Sequence, residues 1–275
     1  MLEICTLASG SSGNCTYISD GKTRLLIDAG ISTRAIVNGL KKIGASPEEI
    51  DAILITHEHF DHVRALEVLE KKFSIPVYAA EPDTQAAVAG ISDILYERTV
   101  GFPPGSEFSI GNINIKPFAT PHDTPYSVGY RIESGENSLV FATDLGHVPE
   151  DVLNAMCGAQ LILLEANYDE AALERGPYPP MLKKRIAGRN GHLSNSDCAK
   201  CAVEAAKRGV KCVVLGHLSK ENNTPKLAYD TVHRGLMEGG FIPGVDVMLQ
   251  VAPRSECGNI YRLESAAEEI VICGK

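Results

Sequence analysis

Three histidines and an aspartate crowd into the run Thr56-His57-Glu58-His59-Phe60-Asp61-His62. Buried ionisable groups need partners, so packing alone does not explain such a cluster. Imidazoles mixed with a carboxylate suit zinc, manganese or iron rather than calcium or magnesium alone. Ions of that kind acidify water and polarise phosphoryl and carbonyl oxygens, which points to hydrolysis. Strand alternation puts His57 and His59 on one face, toward one ion. Asp61 and His62 fall where the chain turns into a helix and can point toward a second ion. One loop does not complete a two-metal site, so further ligands are expected elsewhere in the chain.

The flanks of the loop say how it is held. Ile53-Leu54-Ile55 before it reads as a buried parallel strand. Val63 to Lys72 after it is apolar at helical spacing and basic at its end. The donors therefore lie at the carboxyl end of a strand, where open α/β sheets place their ligand sites. Two further residues repeat that placement. His122 follows the strand pattern of Ile113 to Phe118, and Asp144 follows that of Ser138 to Thr143. His122 completes a three-imidazole set, and the two oxygens of Asp144 can bridge two ions. The tetrapeptide Gly-His-Leu-Ser occurs twice, at 191–194 and 216–219. His217 follows the strand Cys212 to Leu215 and is the better metal ligand. His192 precedes a helix capped by Ser194 and running to Arg208, and is the better acid or substrate contact.

Elsewhere the pattern alternates strands with helices. Leu2 to Ala8, Cys15 to Ser19 and Thr23 to Ile27 read as strands, with a hairpin turn at Asp20-Gly21. Helices are expected over Ser32 to Ile43, Pro82 to Gly90, Pro149 to Gly158 and Pro225 to Glu238. Strands are expected over Ile75 to Tyr78, Glu107 to Ile110, Ser127 to Glu133, Leu161 to Glu165, Asp246 to Val251 and Asn259 to Leu263. Ser9-Gly10-Ser11-Ser12-Gly13-Asn14 has two readings: a loop whose amides cradle phosphate, or a tight turn. Asp28, at a strand end, either supports the metal ligands or caps the next segment. The excursion from Ala166 to Asn190 carries Arg175, Lys183, Lys184, Arg185 and Arg189, either a surface for a polyanion or a solvated face. Ser11, Asn14, Lys184 and Arg185 are the candidate substrate contacts.

With 275 residues, 44% hydrophobic and 22% charged, the chain can build a sizeable core. No linker or low-complexity segment divides it, so residues 1–275 are read as one domain. No apolar run approaches the length of a membrane span, and Met1-Leu2-Glu3-Ile4-Cys5 has no basic leader start, so a cytoplasmic protein is expected. The eight scattered cysteines fit core thiols better than a disulfide framework, and Cys198-Ala199-Lys200-Cys201 falls inside a helical pattern. The net charge of −9 argues against a non-specific coat on duplex DNA, but not against a nuclease whose metals supply local positive charge.

The run His57-x-His59-x-Asp61-His62, followed by His122, Asp144 and His217 at strand ends, resembles the metallo-β-lactamase fold superfamily. More specific stretches resemble its YycJ/WalJ family: Ser9 to Asn14, Asn167-Tyr168-Asp169 with Tyr178-Pro179 and Lys184-Arg185-Ile186, Gly191 to Asn195, and His217 to Asn223. The resemblance implies an α/β chain folded as a four-layer αββα sandwich. It implies one ion on His57, His59, His122 and Asp144, and a second on Asp61, His62, Asp144 and His217. It further implies a metal-dependent phosphodiesterase acting on nucleic acid, DNA rather than RNA, as an exonuclease, with a hydroxide bridging the two ions as nucleophile. Asp61 would orient that nucleophile, and His192 would assist the leaving group, as a histidine does at the corresponding place in ribonuclease Z. The chain is too short for the β-CASP insertion of larger nucleases and shows no Gly/Pro-rich arm for transfer RNA. Asp144 stands where true β-lactamases carry cysteine. Two competing readings are a hydrolase of a small phosphodiester or thioester on the same site, and a non-catalytic binding module.

Overall fold

The protein is described here by a computed structural model covering residues 1–264 and 269–273. Strand β1 (Leu2–Gly10) turns through Ser11 and Ser12 into β2 (Gly13–Ser19), with Gly10 opposite Gly13. The Gly/Ser stretch is therefore a tight hairpin rather than an open loop. At the next turn the Asp20 carboxylate accepts from the N–H groups of Lys22 at 2.9 Å and Thr23 at 2.6 Å, leading into β3 (Arg24–Ile27). Ser32 caps α1 (Thr33–Lys42), and a short 3-10 turn, closed by a Ser46/Glu49 capping box, precedes the fully buried β4 (Ala52–Leu54).

Beyond β4 the structure departs from the expected single helix. α2 (Phe60–Val63) begins inside the histidine run, and α3 (Leu66–Phe73) starts after a break at Arg64 and Ala65. The Ala65 N–H donates to the Ala29 carbonyl at 2.8 Å, and the Ala29 N–H donates to the His62 carbonyl at 2.7 Å. Those two bonds stitch the loop after β3 to the loop after β4 and divert the ladder. β5 (Val77–Ala80), α4 (Asp83–Ala89), α5 (Asp93–Arg98) and β6 (Thr99–Phe102) follow. The pattern missed α5 and β6. β6 lies at the sheet edge with Val100 exposed, so it lacks the apolar alternation of a covered strand.

β7 (Phe108–Ile110), β8 (Ile113–Thr120), β9 (Ser127–Ser134) and β10 (Asn137–Ala142) form an antiparallel run. After α6 (Glu150–Met156) comes β11 (Leu161–Glu165). The excursion holds two short helices, α7 (Glu170–Arg175) and α8 (Pro180–Ile186). α9 (Asn195–Lys207), β12 (Cys212–Gly216), α10 (Pro225–Glu238) and β13 (Met248–Val251) complete this half, and the chain returns to the first sheet as β14 (Ile260–Glu264) and β15 (Glu269–Cys273).

The sheet orders are β15-β14-β1-β2-β3-β4-β5-β6 and β13-β12-β11-β10-β9-β8-β7. A central apolar layer takes Ile4, Ile18 and Leu54 from the first sheet and Tyr130, Phe141 and Leu163 from the second. One outer layer sets Ile36, Leu40, Leu66 and Leu69 against the first sheet, and the other sets Met156, Ala202, Val232 and Leu236 against the second. This is the four-layer αββα sandwich expected from the sequence. Cys198 and Cys201 lie buried in that second outer layer. Among the described residues no helix is long and apolar enough to cross a membrane.

Candidate active site

The loops after β3, β4, β8, β10, β11 and β12 meet at one end of the sandwich, because parallel strands deliver their carboxyl ends to the same edge. Three adjacent strands place Asp144, Glu165 and His217 side by side, with Glu165 in register with Gly216. Asp28, Asp144 and His217 are left-handed, with φ of 61°, 59° and 54°. Non-glycine residues adopt that region at a cost, and such strain gathers where side chains are aimed at a site. Gly30 answers a different demand: a Cβ there would lie 1.5 Å from the Asp61 carbonyl.

The histidine run is not an extended strand, as the alternation argument supposed. β4 ends at Leu54, and His57 and His59 are brought together by an irregular loop. His57 Nε2 lies 3.1 Å from His59 Nδ1, and His122 Nε2 lies 3.3 Å from the same atom. Carbonyl and carboxylate oxygens only accept, and that fixes which nitrogens carry lone pairs. His122 Nδ1–H donates to the Gly191 carbonyl at 3.1 Å. His62 Nδ1–H donates to Asp28 at 2.8 Å, and His217 Nδ1–H donates to Glu165 at 2.7 Å. The Nε2 lone pairs of His122 and His217 are left for the cleft, and that of His62 faces the cleft beside the Asn14 amide, 3.1 Å away. His62 Nε2 is 3.5 Å from Asp61 Oδ2 and 3.6 Å from Asp144 Oδ2, and His122 Nε2 is 3.7 Å from Asp144 Oδ1.

His57, His59 and His122 form one group of converging donor atoms; Asp61, His62 and His217 form another. Asp144 joins His57 and His62 in a third group and lies between the two. His217 Nε2 and Asp144 Oδ2 are buried without a hydrogen-bond partner among the described residues. Buried polar atoms of that kind are costly unless something fills the space between them. The donor set fits divalent metal ions, with the supporting bonds from Asp28, Glu165 and Gly191 that metal-bound histidines usually have.

Electrostatics support the same fit. Burial works against charge on His217, but Asp144, Asp61 and Glu165 outweigh it and lift its pKa to about 10. His62 is likewise opposed by burial and raised by Asp28 and Asp144. His57 is pressed well below its ordinary value by burial and by repulsion from His62, His122 and His59. Burial raises Asp61, but the nearby His217 and His62 imidazoles hold it far below the usual carboxylate range. The carboxylates thus demand positive charge here. A divalent cation competes with protons for the same nitrogens, so its binding releases protons.

Glu165 was missed as a site residue and read only as the end of a strand. Its Oε1 accepts from both His192 Nδ1 at 2.8 Å and His217 Nδ1, and its Oε2 accepts from the N–H groups of Leu145 at 2.7 Å and Leu193 at 3.2 Å. Burial opposes its charge, yet His192 and His217 hold its pKa far below normal. The available signal was an acid closing a wholly apolar run in register with the ends of its neighbours. Thr56 was also missed: its hydroxyl contacts Asp28, His57 Nδ1 at 3.0 Å and His62 Nδ1 at 3.2 Å. Of its two readings, Asp28 takes the supporting one.

A cavity of about 240 Å3 opens over these groups, and Ser11, Asp61, Asp144, His192, His217 and Arg185 are among its lining. Two candidate substrate contacts differ from expectation. Asn14 is buried beneath the site, where its amide bonds His62 Nε2 at 3.1 Å and accepts from the Gly10 N–H, so it braces the hairpin and is not in the lining. Lys184 is exposed on α8 and also outside the lining. Arg185 reaches the rim and pairs with Asp123. The stretches at 167–169, 191–195 and 217–223 interlock beneath the cavity. Asn195 and Asn223 bond each other through both amides at 2.8 and 3.0 Å, Ser219 N–H donates to the Asn167 carbonyl, and Asn167 donates to the His217 carbonyl.

Comparison with known proteins agrees with this arrangement. Residues 23–218 match the family model described as the beta-lactamase superfamily domain. The exodeoxyribonuclease WalJ of Streptococcus pneumoniae is 38% identical over 242 residues, covering 87% of this chain and 90% of that protein. The exodeoxyribonuclease YycJ of Bacillus anthracis is 34% identical over 240 residues, covering 87% of this chain and 91% of that protein. The metallo-beta-lactamase fold protein YhfI from Bacillus subtilis shares the fold with a TM-score of 0.72 at 16% identity, over 95% of this chain and all of that one (100%). The chain belongs to the metallo-β-lactamase fold members of the beta-lactamase superfamily and, within them, to the WalJ/YycJ family.

Proposed function

We propose that the protein is a metal-dependent phosphodiesterase that removes nucleotides from DNA ends, acting as one domain over residues 1–275. The observation that carries this reading is the convergence of lone-pair nitrogens on Asp144, with His217 Nε2 and Asp144 Oδ2 left unpartnered. His57, His59, His122 and Asp144 would hold one divalent ion, and Asp61, His62, Asp144 and His217 a second. Zinc or manganese suits this donor set, with iron as a further candidate. Bound there, the ions supply Lewis acidity toward phosphoryl oxygens and lower the pKa of water. Asp61 orients the attacking water through its free oxygen. As the P–O bond to the departing sugar oxygen breaks, His192 gives that oxygen a proton, held in place by Glu165. Ser11 and Arg185, at the lining, position the phosphate backbone without reading bases. The names of the relatives at 38% and 34% identity support DNA as substrate. Buried thiols at Cys15, Cys198 and Cys212 support a cytoplasmic setting.

A small phosphodiester is a second reading, favoured by the modest size of the cavity, about 240 Å3. The decisive experiment pairs elemental analysis with DNA labelled at the 5′ or 3′ end. Metal-loaded protein should release nucleotides from one end, and Asp61→Ala should lower the rate at least about a hundredfold. Turnover of small diesters alone, with no release from any DNA end, would move the assignment to the second reading.

A further inference from the structure

The hairpin turn at Ser11 and Ser12 separates two concavities. On one side lies the cavity of the active site, with Ser11 in its wall. On the other lies a groove of about 490 Å3, with Ser12 and Gly13 in its wall. The groove follows one face of α1, past Ser32, Ala35, Asn38 and Lys42. Ten helical residues span about 15 Å. Its other wall brings Arg64 and Arg254, so three cations face one carboxylate, Glu256. For a chain of net charge −9 this is a local reversal of sign.

Phe60 adjoins both concavities through its neighbours. Its neighbours His59 and Asp61 line the cavity, yet its own side chain is 71% exposed. The Arg64 guanidinium lies over its ring, 5.7 Å from the centroid. An exposed aromatic face backed by a cation is the device by which single-stranded nucleic acid is held without regard to sequence. Three of the five basic residues of the excursion are engaged by other groups, as Arg254 is in part by the Ser219 carbonyl at 3.1 Å. Arg185 is paired with Asp123, the Lys183 ammonium donates to the Glu174 carbonyl, and Arg189 is bonded to the His147 ring.

We propose, resting on the nucleic-acid reading above, that the strand held in the active site continues over Phe60, with a base stacked on its ring. It then runs along α1, where Lys42, Arg64 and Arg254 hold its phosphates. Duplex DNA advances about 3.4 Å per phosphate of one strand, and an unpaired strand is more extended, so the length of α1 accommodates fewer than about four phosphates. The ligand is therefore a single-stranded DNA segment of several nucleotides beyond the scissile bond.

Fluorescence anisotropy on the metal-loaded protein, with labelled phosphorothioate oligothymidylates that resist hydrolysis, tests this. The dodecanucleotide should bind at least about tenfold more tightly than the trinucleotide, which fills the cavity but not the groove. The double variant Lys42→Gln/Arg64→Gln should remove most of that difference. Its salt dependence should be shallower by about 0.7 in log K against log salt for each cation removed. Phe60→Leu should weaken the dodecanucleotide about fivefold or more, and Phe60→Tyr should restore it. Lys22→Gln, at the far end of the sandwich, should change nothing. Equal affinity for both lengths, no binding by the wild-type protein, or variants within twofold of wild type would overturn the groove. The functional reading fails separately: a protein that binds as expected yet degrades no DNA with zinc or manganese keeps the groove. One that degrades DNA with the groove variants binding as wild type loses it.

Discussion

The two halves of the site are held by different devices. His57 and His62 lean on a local pair, Thr56 and Asp28, from the ends of the neighbouring strands β3 and β4. His192 and His217 share one carboxylate, Glu165, and rest on asparagines drawn from three separate segments. The first half is a small construction in which two side chains, Asp28 and Thr56 at neighbouring strand ends, do the supporting. The second is a lattice in which three loops bond one another. It follows that damage to the lattice spreads, whereas damage to the local pair stays with the two ligands it supports, His57 and His62.

The largest expected effect tests that difference at the hub of the lattice. The Asn223 amide bonds the Ala166 carbonyl at 2.9 Å, the Asn167 carbonyl at 3.2 Å and Asn195 Oδ1 at 2.8 Å, with the residue 3% exposed. Asn223→Ala leaves those buried groups without their donor, at about 1–3 kcal/mol for each one stranded. Urea unfolding should show a loss of about 2–4 kcal/mol. Turnover should collapse as His192 and His217 lose their footing. Stability within about 0.5 kcal/mol of wild type would mean that the lattice is not what holds this half.

The same contrast explains what the sequence made legible. The first half is a motif because its donors sit within a few residues of one another, and density is itself a signal. His122, Asp144 and His217 were legible through position, each just past an apolar strand. Glu165 occupies the same position but has no partner nearby in sequence. Its function follows from parallel register, which no local spacing reports. α7 and α8 escaped for another reason: each is under two turns long and bounded by Gly and Pro residues, so no periodicity develops. Asn14 looked like a substrate contact because it closes a small-residue loop. The hairpin turns it inward, beneath His62.

The next effect compares the two orienting carboxylates. Each Glu165 oxygen accepts from two N–H groups, so in Glu165→Gln the amide NH2 must face donors whichever way it turns. In Asp28→Asn the amide can meet the Thr56 hydroxyl, which also accepts, and only the bond to His62 suffers. Metal affinity, measured by competition with a chelator, should fall about 10- to 100-fold in both. Turnover at saturating metal should fall with Glu165→Gln by a similar factor and recover largely with Asp28→Asn. Equal turnover losses would erase the distinction between a shared and a private support.

The smallest effect lies at the opposite end of the sandwich and shows what a carboxylate is worth outside either device. Burial raises the Asp20 pKa, but the hydrogen bonds from Thr23, Lys22, Ser134 and Asn112 together outweigh it, so the folded value sits below the ordinary one. A depressed carboxylate stabilises fully above its unfolded pKa, about 3.9, and loses that contribution as pH falls through the folded value. Asp20 is largely solvated, so screening keeps the term under about 1 kcal/mol. Asp20→Asn should therefore cost a few tenths of a kcal/mol at neutral pH, and the gap from wild type should close in acid, once the pH has fallen through the folded value. Urea midpoints at both pH values measure it. A gap that persists in acid would assign the loss to the shape of the turn rather than to its charge.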